Sequence, residues 1–385
     1  MTVDTREKLP AQIAERKTGQ HIVPVSSNAL AVRSTALVAR GLRDLARDSN
    51  WLIKKVFTGR SPHLAVSAAG QVCAVSPPIR HTAQRVVLYD IELSVPTMAL
   101  TVPNQLPVSS TDLPASFAWS PTSRYLAAAW GAWQSALHFF DLHGKLFLGT
   151  CGAWTKFPAK LSWSDTGRYL AAGSAGGKGA SLQLWDGLSV DASLARSPLR
   201  EIGMPNWLEE QAAGEEFAEE GKFWGYGRAA FSPDEKTLAA VIEIKGDWAD
   251  DAIVLLDVPS LQRRHAFTTQ GHVTDLTWTP DGRQIVYCAA GQAYHLTEAT
   301  TDFEPLPFAA ELCACHPHLP LCVCFSSWLK NSAKGRLFLV DLNRQTAFDE
   351  YAAEGVVDLR WSFDGSKAYA VTQDGLGYIY EPPLL

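Results

Sequence analysis

The sequence predicts an all-β fold built from seven repeats of one strand–turn–strand phrase. The phrase is clearest as FAWSPTSRYLAAA from Phe117, LSWSDTGRYLAAG from Leu161 and LTWTPDGRQIVYC from Leu276. One residue begins the turn in each repeat, and these turn residues are Ser67, Ser120, Ser164, Ser232, Thr279, His316 and Ser362. They lie 53, 44, 68, 47, 37 and 46 residues apart, which is close to the ~40–50 residues of one β-propeller blade. We therefore expect a seven-bladed β-propeller.

Further strands follow each turn phrase. The third strand reads RVVLYD from Arg85, LQLWD from Leu182 and RLFLVD from Arg336, and a fourth strand follows as in LQRRHAF from Leu261. Apolar and polar residues alternate in these runs, and Gly, Asp or Pro bounds them, which is the pattern of short strands. Four antiparallel strands per repeat make one blade.

The chain resembles the WD-repeat β-propeller family from Trp51 to Leu385. The resemblance rests on the Trp185-Asp186 pair, the Gly271-His272 pair and the WSP, FSP and WTPDG turns. One repeat keeps the literal Trp-Asp and one keeps Gly-His, so the family's buried His-Asp-Ser-Trp hydrogen-bond network is expected to be incomplete. Apolar packing is then the main interaction expected to hold the blades.

Two segments are expected outside the blades. Residues 1–50 form an N-terminal extension in which 27–48 predict an amphipathic helix, with leucines on one face and arginines on the other. Residues 51–385 form the propeller, and 191–226 are an acidic insertion that is long for a link between blades. The last repeat ends after its third strand, so we expect the strand 51–57 to complete that blade and close the ring.

Bulk composition excludes several classes of function. The formal net charge is −6, whereas a nucleic-acid surface needs a basic face. The first 20 residues lack the apolar core of a secretory signal, and no apolar run is long enough to span a membrane. Seven cysteines without an export signal favour reduced thiols. The sequence therefore predicts a cytoplasmic protein with weak membrane affinity at most.

One Cys/His cluster suggests a metal site. Its members are Cys313, Cys315, His316, Cys322 and Cys324. Zinc ligands commonly have gaps of two or more residues within each pair, whereas these gaps are one residue, which places each cysteine pair on one face of a strand. The cysteines also occupy positions that hold core residues in the other repeats. Core packing is favoured over metal binding, and we expect no cofactor.

Tryptophans and arginines outside the repeat core suggest partner binding. Trp130, Trp133, Trp248 and Trp328 are predicted in the loops between second and third strands. In the family's topology these loops lie at one end of the propeller, here called the upper face. Arg33, Arg40 and Arg47 lie on the polar face of the predicted helix, which would dock on the propeller or bind a partner. Aromatic residues are enriched at protein interfaces, although the loops could also bury their own tryptophans.

The sequence therefore favours a non-enzymatic scaffold, or a subunit of a larger intracellular assembly, with other proteins as its partners. No nucleophile elbow or metalloprotease motif is present. The alternative is a propeller enzyme or small-ligand binder that uses the central channel. His, Asp or Glu residues clustered in the channel would favour that alternative.

Overall fold

All regular elements in the described part of the chain are β-strands. The computed structural model describes residues 51–57, 64–75, 85–101, 114–130, 135–144, 146–154, 157–175, 179–187, 198–203, 223–244, 250–297, 303–327 and 335–382. The strands are β1 (Trp51–Lys55), β2 (Leu64–Val66), β3 (Val72–Val75), β4 (Arg85–Asp90), β5 (Val95–Thr101), β6 (Pro114–Trp119), β7 (Tyr125–Trp130), β8 (Ser135–Asp141), β9 (Leu146–Trp154), β10 (Phe157–Trp163), β11 (Tyr169–Ala175), β12 (Leu182–Asp186), β13 (Arg200–Ile202), β14 (Phe223–Phe231), β15 (Thr237–Ile244), β16 (Ala252–Asp257), β17 (Arg263–Thr268), β18 (Val273–Trp278), β19 (Gln284–Ala289), β20 (Gln292–Thr297), β21 (Phe303–Pro305), β22 (Leu312–Cys315), β23 (Leu321–Ser326), β24 (Arg336–Asp341), β25 (Thr346–Ala352), β26 (Val356–Trp361), β27 (Ala368–Thr372) and β28 (Leu376–Tyr380).

These strands form antiparallel sheets in sequence order. Across the described ranges there are five four-stranded sheets and one eight-stranded sheet. The larger sheet consists of β10–β13 and β14–β17, and the two groups are joined through β11 and β14 at the single pair Ala175–Gly225. Each group of four consecutive strands therefore follows the order expected of a propeller blade.

The first and last described strands share one sheet. β1 pairs antiparallel with β28 from Trp51–Tyr380 to Lys55–Leu376, and the sheet order is β1-β28-β27-β26. β28 would otherwise present an unpaired row of backbone N–H and C=O groups. The two ends of the described chain are thereby fastened to each other.

The turn residues repeat one hydrogen-bond pattern. In each of the seven turns the backbone N–H of the turn residue donates to the carbonyl of the residue five positions later, as in Ser120 to Tyr125 at 2.9 Å. Where the turn residue is Ser or Thr, its hydroxyl accepts the backbone N–H of that same later residue, as Ser120 Oγ does from Tyr125 at 2.9 Å. The side chain thus closes the turn a second time, which is why small hydroxyl residues recur there.

His316 closes its turn differently. Its Nδ1 accepts the backbone N–H groups of His318 and Leu319 at 2.9 and 3.0 Å. Its Nε2 donates to the carbonyl of Gly365 in the next sheet at 3.1 Å. Because both ring nitrogens are bonded, His316 replaces the turn hydroxyl and also links two sheets.

The core lies between neighbouring sheets. One buried cluster packs Leu88 of β4 against Phe117 of β6 and Leu126 of β7, and further clusters span the other sheet pairs. Four tryptophans that precede turn residues add hydrogen bonds across these contacts. Their Nε1 atoms donate to carbonyls of the preceding inner strand, in the pairs Trp119–Ala65 (3.0 Å), Trp163–Ala118 (3.2 Å), Trp278–Ala230 (2.9 Å) and Trp361–Ala314 (3.0 Å). We call these the inter-sheet Trp bonds.

The network implied by the family resemblance is present in part. His272 Nδ1 lies 3.1 Å from Asp251 Oδ1, and Asp251 also accepts the backbone N–H groups of Val273 and Ile244. The indole N–H of Trp185 is buried without a hydrogen-bond acceptor among the described residues. The side chain of Trp185 is therefore held by packing in the core.

The predicted extension 1–50 and its helix 27–48 lie outside the described residues. Within the predicted insertion 191–226, the structure has β13 (Arg200–Ile202) and the first residues of β14. β13 has three residues, all at least partly exposed, so the sequence carries no alternating pattern that would reveal it. In the part of the chain that the structure describes, no helix is both long and apolar enough to cross a membrane.

Candidate functional site

The inner strands of the sheets surround a central channel. β2, β6, β10, β14, β18, β22 and β26 all contribute to the lining of one cavity of about 380 Å³. Successive side chains along a strand point to opposite faces of the sheet. Near each turn, the residue directly before the turn residue therefore faces one neighbouring sheet, and the residue before that faces the other. The inter-sheet Trp bonds use the residue directly before the turn residue. Residues two positions before it point the opposite way, toward the next inner strand.

The residue four positions before the turn residue is polar in five inner strands, and we call this place the bridging position. Its described polar members are Ser116, Lys160, Arg228, Asp275 and Asp358. Ser116 Oγ accepts the backbone N–H of Leu161 at 3.3 Å, and Asp358 Oδ2 accepts that of Val66 at 2.9 Å. The bridging side chains therefore connect one inner strand to the next around the channel.

Asp275 and Arg228 form the strongest of these links. Arg228 Nη1 lies 2.9 Å from Asp275 Oδ1, and Asp275 Oδ2 accepts the backbone N–H of Cys313 at 3.1 Å. Burial raises the pKa of Asp275 to about 7, and the Arg228 charge opposes that rise. The carboxyl group of Asp275 therefore changes charge near neutral pH.

Lys160 is the bridging residue without a bonded partner. It is exposed to the channel, and none of the described carboxylates lies within ion-pair distance of its ammonium group. Burial by the channel wall lowers the pKa of Lys160, and the neighbouring positive charge of Arg228 lowers it further, while Asp275, Asp358 and Glu243 act in the opposite direction. Lys160 is a cation held beside another cation in a water-accessible cavity.

Small side chains line the middle of the channel, with one exception. Two positions before the turn residues the inner strands carry Ala65, Ala118, Ser162, Ala230, Thr277, Ala314 and Arg360. Arg360 Nε lies 3.8 Å from Asp358 Oδ2. Arg360 therefore places a charged group in an otherwise small-residue layer.

The seven turns form the end of the propeller that we call the lower face. Directly after the turn residues lie Ala68, Pro121, Asp165, Pro233, Pro280, Pro317 and Phe363, all of which line the channel mouth. Phe363 is 59% exposed. Burial and Glu235 raise the pKa of Asp165, while Arg360 and His318 lower it. The lower mouth is thus a largely apolar ring with one exposed aromatic side chain.

The predicted Cys/His cluster is part of the core. Cys313 pairs with Cys324, and Cys315 pairs with Cys322, across strands β22 and β23. Cys313, Cys322 and Cys324 are buried among residues such as Val286 and Phe338. Burial lowers the pKa of His316 to about 4, and both of its nitrogens are bonded as described above. Among the described residues no group of three or more His, Cys, Asp or Glu side chains is arranged to hold a metal ion.

The predicted partner-binding residues are largely outside the described part. Trp133, Trp248, Trp328, Arg33, Arg40 and Arg47 all lie there. Trp130, predicted in a loop, is instead the last residue of β7, where its backbone pairs with Pro114 and Ala136. The sequence analysis missed the bridging residues, although their fixed place four positions before each turn residue was a signal that could have revealed them.

Comparisons with known proteins agree with this geometry. The family model described as "WD domain, G-beta repeat" matches residues 263–292, which include the Gly271-His272 pair and Trp278. No curated protein sequence matches the chain. One similar solved structure, titled "Crystal Structure of Mitotic Checkpoint Complex", shares 15% identity and a TM-score of 0.59, covering 88% of this chain and 96% of that chain. Another is the hydrazine synthase of Kuenenia stuttgartiensis, with 15% identity and a TM-score of 0.61, covering 85% of this chain and 97% of that chain.

The fold and the repeat match define the class of this protein. Four-stranded antiparallel units surround a channel, and the WD-repeat match runs from β17, the outer strand of one unit, through β18 and β19 of the next. The chain has a β-propeller fold, and its residues 263–292 are similar to a WD repeat.

Proposed function

We propose that this chain is a non-enzymatic protein-interaction scaffold, built as a seven-bladed propeller. The observation that carries the proposal is the exposed aromatic ring of Phe363 at the lower mouth of the channel, whose rim also contains Pro121, Pro233, Pro280 and Pro317. Solvated aromatic side chains on a rigid apolar rim are typical of surfaces that bind another protein. The similarity to a propeller chain in a structure titled as a checkpoint complex agrees with this class of function.

Two observations support seven blades. Seven inner strands line the one cavity, and each is followed by a turn with the same backbone hydrogen bond. The eight-stranded sheet divides naturally into two blades, because the strand pairing between its described halves is limited to the Ala175–Gly225 pair. The pairing of β1 with β28 then supplies the fourth strand of the last blade.

Rigidity supports a scaffold role. On the lower face, hydrogen bonds join neighbouring turns in the pairs Ala69–Ser123, Thr166–Glu235, His316–Gly365 and Phe363–Ala68. Together with the inter-sheet Trp bonds they hold the turns in a fixed arrangement. A preorganised surface loses little conformational entropy on binding.

Three described residues of types that could perform catalysis are engaged in structure. Asp275 bonds Arg228 and Cys313, His316 bonds three backbone groups, and Cys322 is fully buried. This favours the scaffold over the enzyme alternative, although the propeller fold also occurs in an enzyme such as hydrazine synthase.

The upper face and the N-terminal extension form a second proposed contact region. We propose that the partner also contacts Trp130, Trp133, Trp248 and Trp328, and that Arg33, Arg40 and Arg47 attach the propeller to an assembly in the cytoplasm. The support is the sequence pattern, in which these aromatic and basic side chains fall outside the repeat core.

The test uses partners captured from the native cell with the full-length chain. A candidate partner must re-form a complex of fixed stoichiometry from purified components. Phe363→Asp should weaken that complex, whereas Leu199→Asp, at another exposed apolar residue (43% exposed), should leave its affinity unchanged. Both substitutions place a charge on a solvated side chain, so the melting temperature should stay near that of the parent protein.

A separate variant set replaces Trp133, Trp248 and Trp328 with Ala. Loss of binding in this set alone would move the contact from the lower to the upper face. The opposite outcome is that the partner binds the Phe363 variant, the tryptophan variants and the arginine charge-reversal variants as tightly as the parent protein. If substitutions of channel-lining residues abolish activity at the same time, the channel-ligand alternative replaces the scaffold proposal.

A further inference from the structure

Two positively charged residues line the same channel cavity. Lys160 of β10 and Arg228 of β14 occupy the bridging position on adjacent inner strands. Burial lowers the pKa of Lys160, and the charge of Arg228 lowers it further. Like charges at close range are unfavourable unless an anion lies between them.

Most of the hydrogen-bonding capacity of these two residues is unused. Arg228 makes one described ion pair, through Nη1 to Asp275 Oδ1 at 2.9 Å. A guanidinium group has five N–H donors and an ammonium group has three. Lys160 has no hydrogen bond or ion pair to any described residue, so several charged donors are available to a ligand.

Two carboxylates that line the channel, Asp275 and Asp358, are already engaged elsewhere. Asp275 accepts from Arg228 and from the backbone of Cys313, and Asp358 accepts from the backbone of Val66 while lying near Arg360. Glu243 attracts Lys160, but it lies outside ion-pair distance and packs directly over Gly227. None of the described carboxylates therefore forms an ion pair with Lys160.

Both cations can be reached from the cavity. Lys160 is exposed, and the side chain of Arg228 is 28% exposed in a cavity of about 380 Å³. Small-molecule sites commonly have volumes of about 300–1,000 Å³. The cavity therefore has room for a small ligand or for one side chain of a peptide.

We propose that the channel binds an oxyanion group, a carboxylate or a phosphate, between Lys160 and Arg228. The planar guanidinium of Arg228 would bond two oxygens of the group, and the ammonium of Lys160 would supply a second positive charge. The oxyanion comes from a small molecule or from an acidic side chain of a peptide. The site does not depend on the scaffold proposal, because an ion can occupy it without any protein partner.

The experiment measures binding to the full-length protein by isothermal titration calorimetry at low ionic strength. The probes are inorganic phosphate, succinate and a glutamate-containing peptide with blocked ends. Saturable binding with one site per chain is expected for at least one probe. Binding of phosphate or succinate identifies a small-molecule source, whereas binding of the peptide alone identifies a side chain.

Matched variants test the residues. Lys160→Gln should weaken binding at least about tenfold, since it removes a charge-assisted hydrogen bond, and Lys160→Arg should retain binding. Lys236→Gln removes a cation from the lower face, where its side chain is 75% exposed, and should leave the affinity unchanged. The absence of saturable binding for all three probes overturns the proposal, as does equal affinity of the parent, Lys160→Gln and Lys236→Gln proteins.

Discussion

The inter-sheet bond of Trp119 gives a quantitative test of how the blades are held. Its indole N–H donates to Ala65 O at 3.0 Å, and the side chain is 2% exposed. Trp119→Phe leaves the carbonyl of Ala65 without this donor. The fold accepts a phenyl ring at the equivalent place, because Phe231 precedes the turn residue Ser232 in β14.

The expected loss has two parts. Leaving a buried hydrogen-bond acceptor unpaired costs about 1–3 kcal/mol, and the smaller ring adds about 1 kcal/mol of lost packing. We therefore expect Trp119→Phe to lower the free energy of unfolding by about 2–4 kcal/mol. Trp163→Phe removes a longer bond of 3.2 Å from a partly exposed side chain, so it should cost about 1 kcal/mol.

Urea titration followed by circular dichroism and by intrinsic fluorescence provides the measurement. Coincident transitions are needed before a free energy is assigned, since long repeat proteins can unfold in steps. A change below about 0.5 kcal/mol for Trp119→Phe, within the range of an ordinary surface substitution, would refute the reasoning. So would a larger loss for Trp163→Phe than for Trp119→Phe.

Three further predictions concern pH and metal. Asp275 has its pKa raised from 3.8 to about 7, so between these pH values the folded state retains a proton that the unfolded chain releases. The free energy of unfolding should therefore fall by up to about 4 kcal/mol as the pH rises through this range. Asp275→Asn should remove this pH dependence in urea titrations. His316 has its pKa lowered from 6.5 to about 4, so the free energy of unfolding should fall by up to about 3 kcal/mol as the pH drops through that range. His316→Ser, which restores the turn hydroxyl, should abolish this loss. The same loss of stability in acid for the variant and the parent protein would contradict the prediction. Elemental analysis should find far less than one zinc or iron per chain, and chelator should leave the melting temperature unchanged; one metal per chain, lost on replacing Cys313 and Cys322 with Ser, would reverse the core interpretation.

The turn phrase made the fold class predictable. A hydroxyl residue such as Ser120 or Ser164 closes the turn through its own side chain, so the residue type is tied to the backbone geometry. Trp119 and Trp163, one position earlier, belong to the same local phrase. Because the turn residue and the tryptophan lie within a few residues of each other, the sequence pattern reveals them.

The contacts around the channel are not local, and the sequence could not supply them. Arg228 and Asp275 are 47 positions apart, and their contact depends on how two blades are placed side by side. Trp130 was predicted in a loop, whereas β7 includes it because its backbone pairs with Pro114 of β6 and Ala136 of β8. Pairing of β13 likewise comes from its neighbour β12, since its own residues have no strand pattern.

The bridging position connects the stability of the ring with its capacity to bind. Ser116 and Asp358 use their polar atoms on the next strand, and Arg228 with Asp275 does so through an ion pair. Lys160 has the same place on its strand but makes no such bond among the described residues. Replacing Lys160 should therefore affect ligand binding more than folding, whereas replacing Asp275 should affect both. This difference separates a residue that holds the propeller together from one that is available to a ligand.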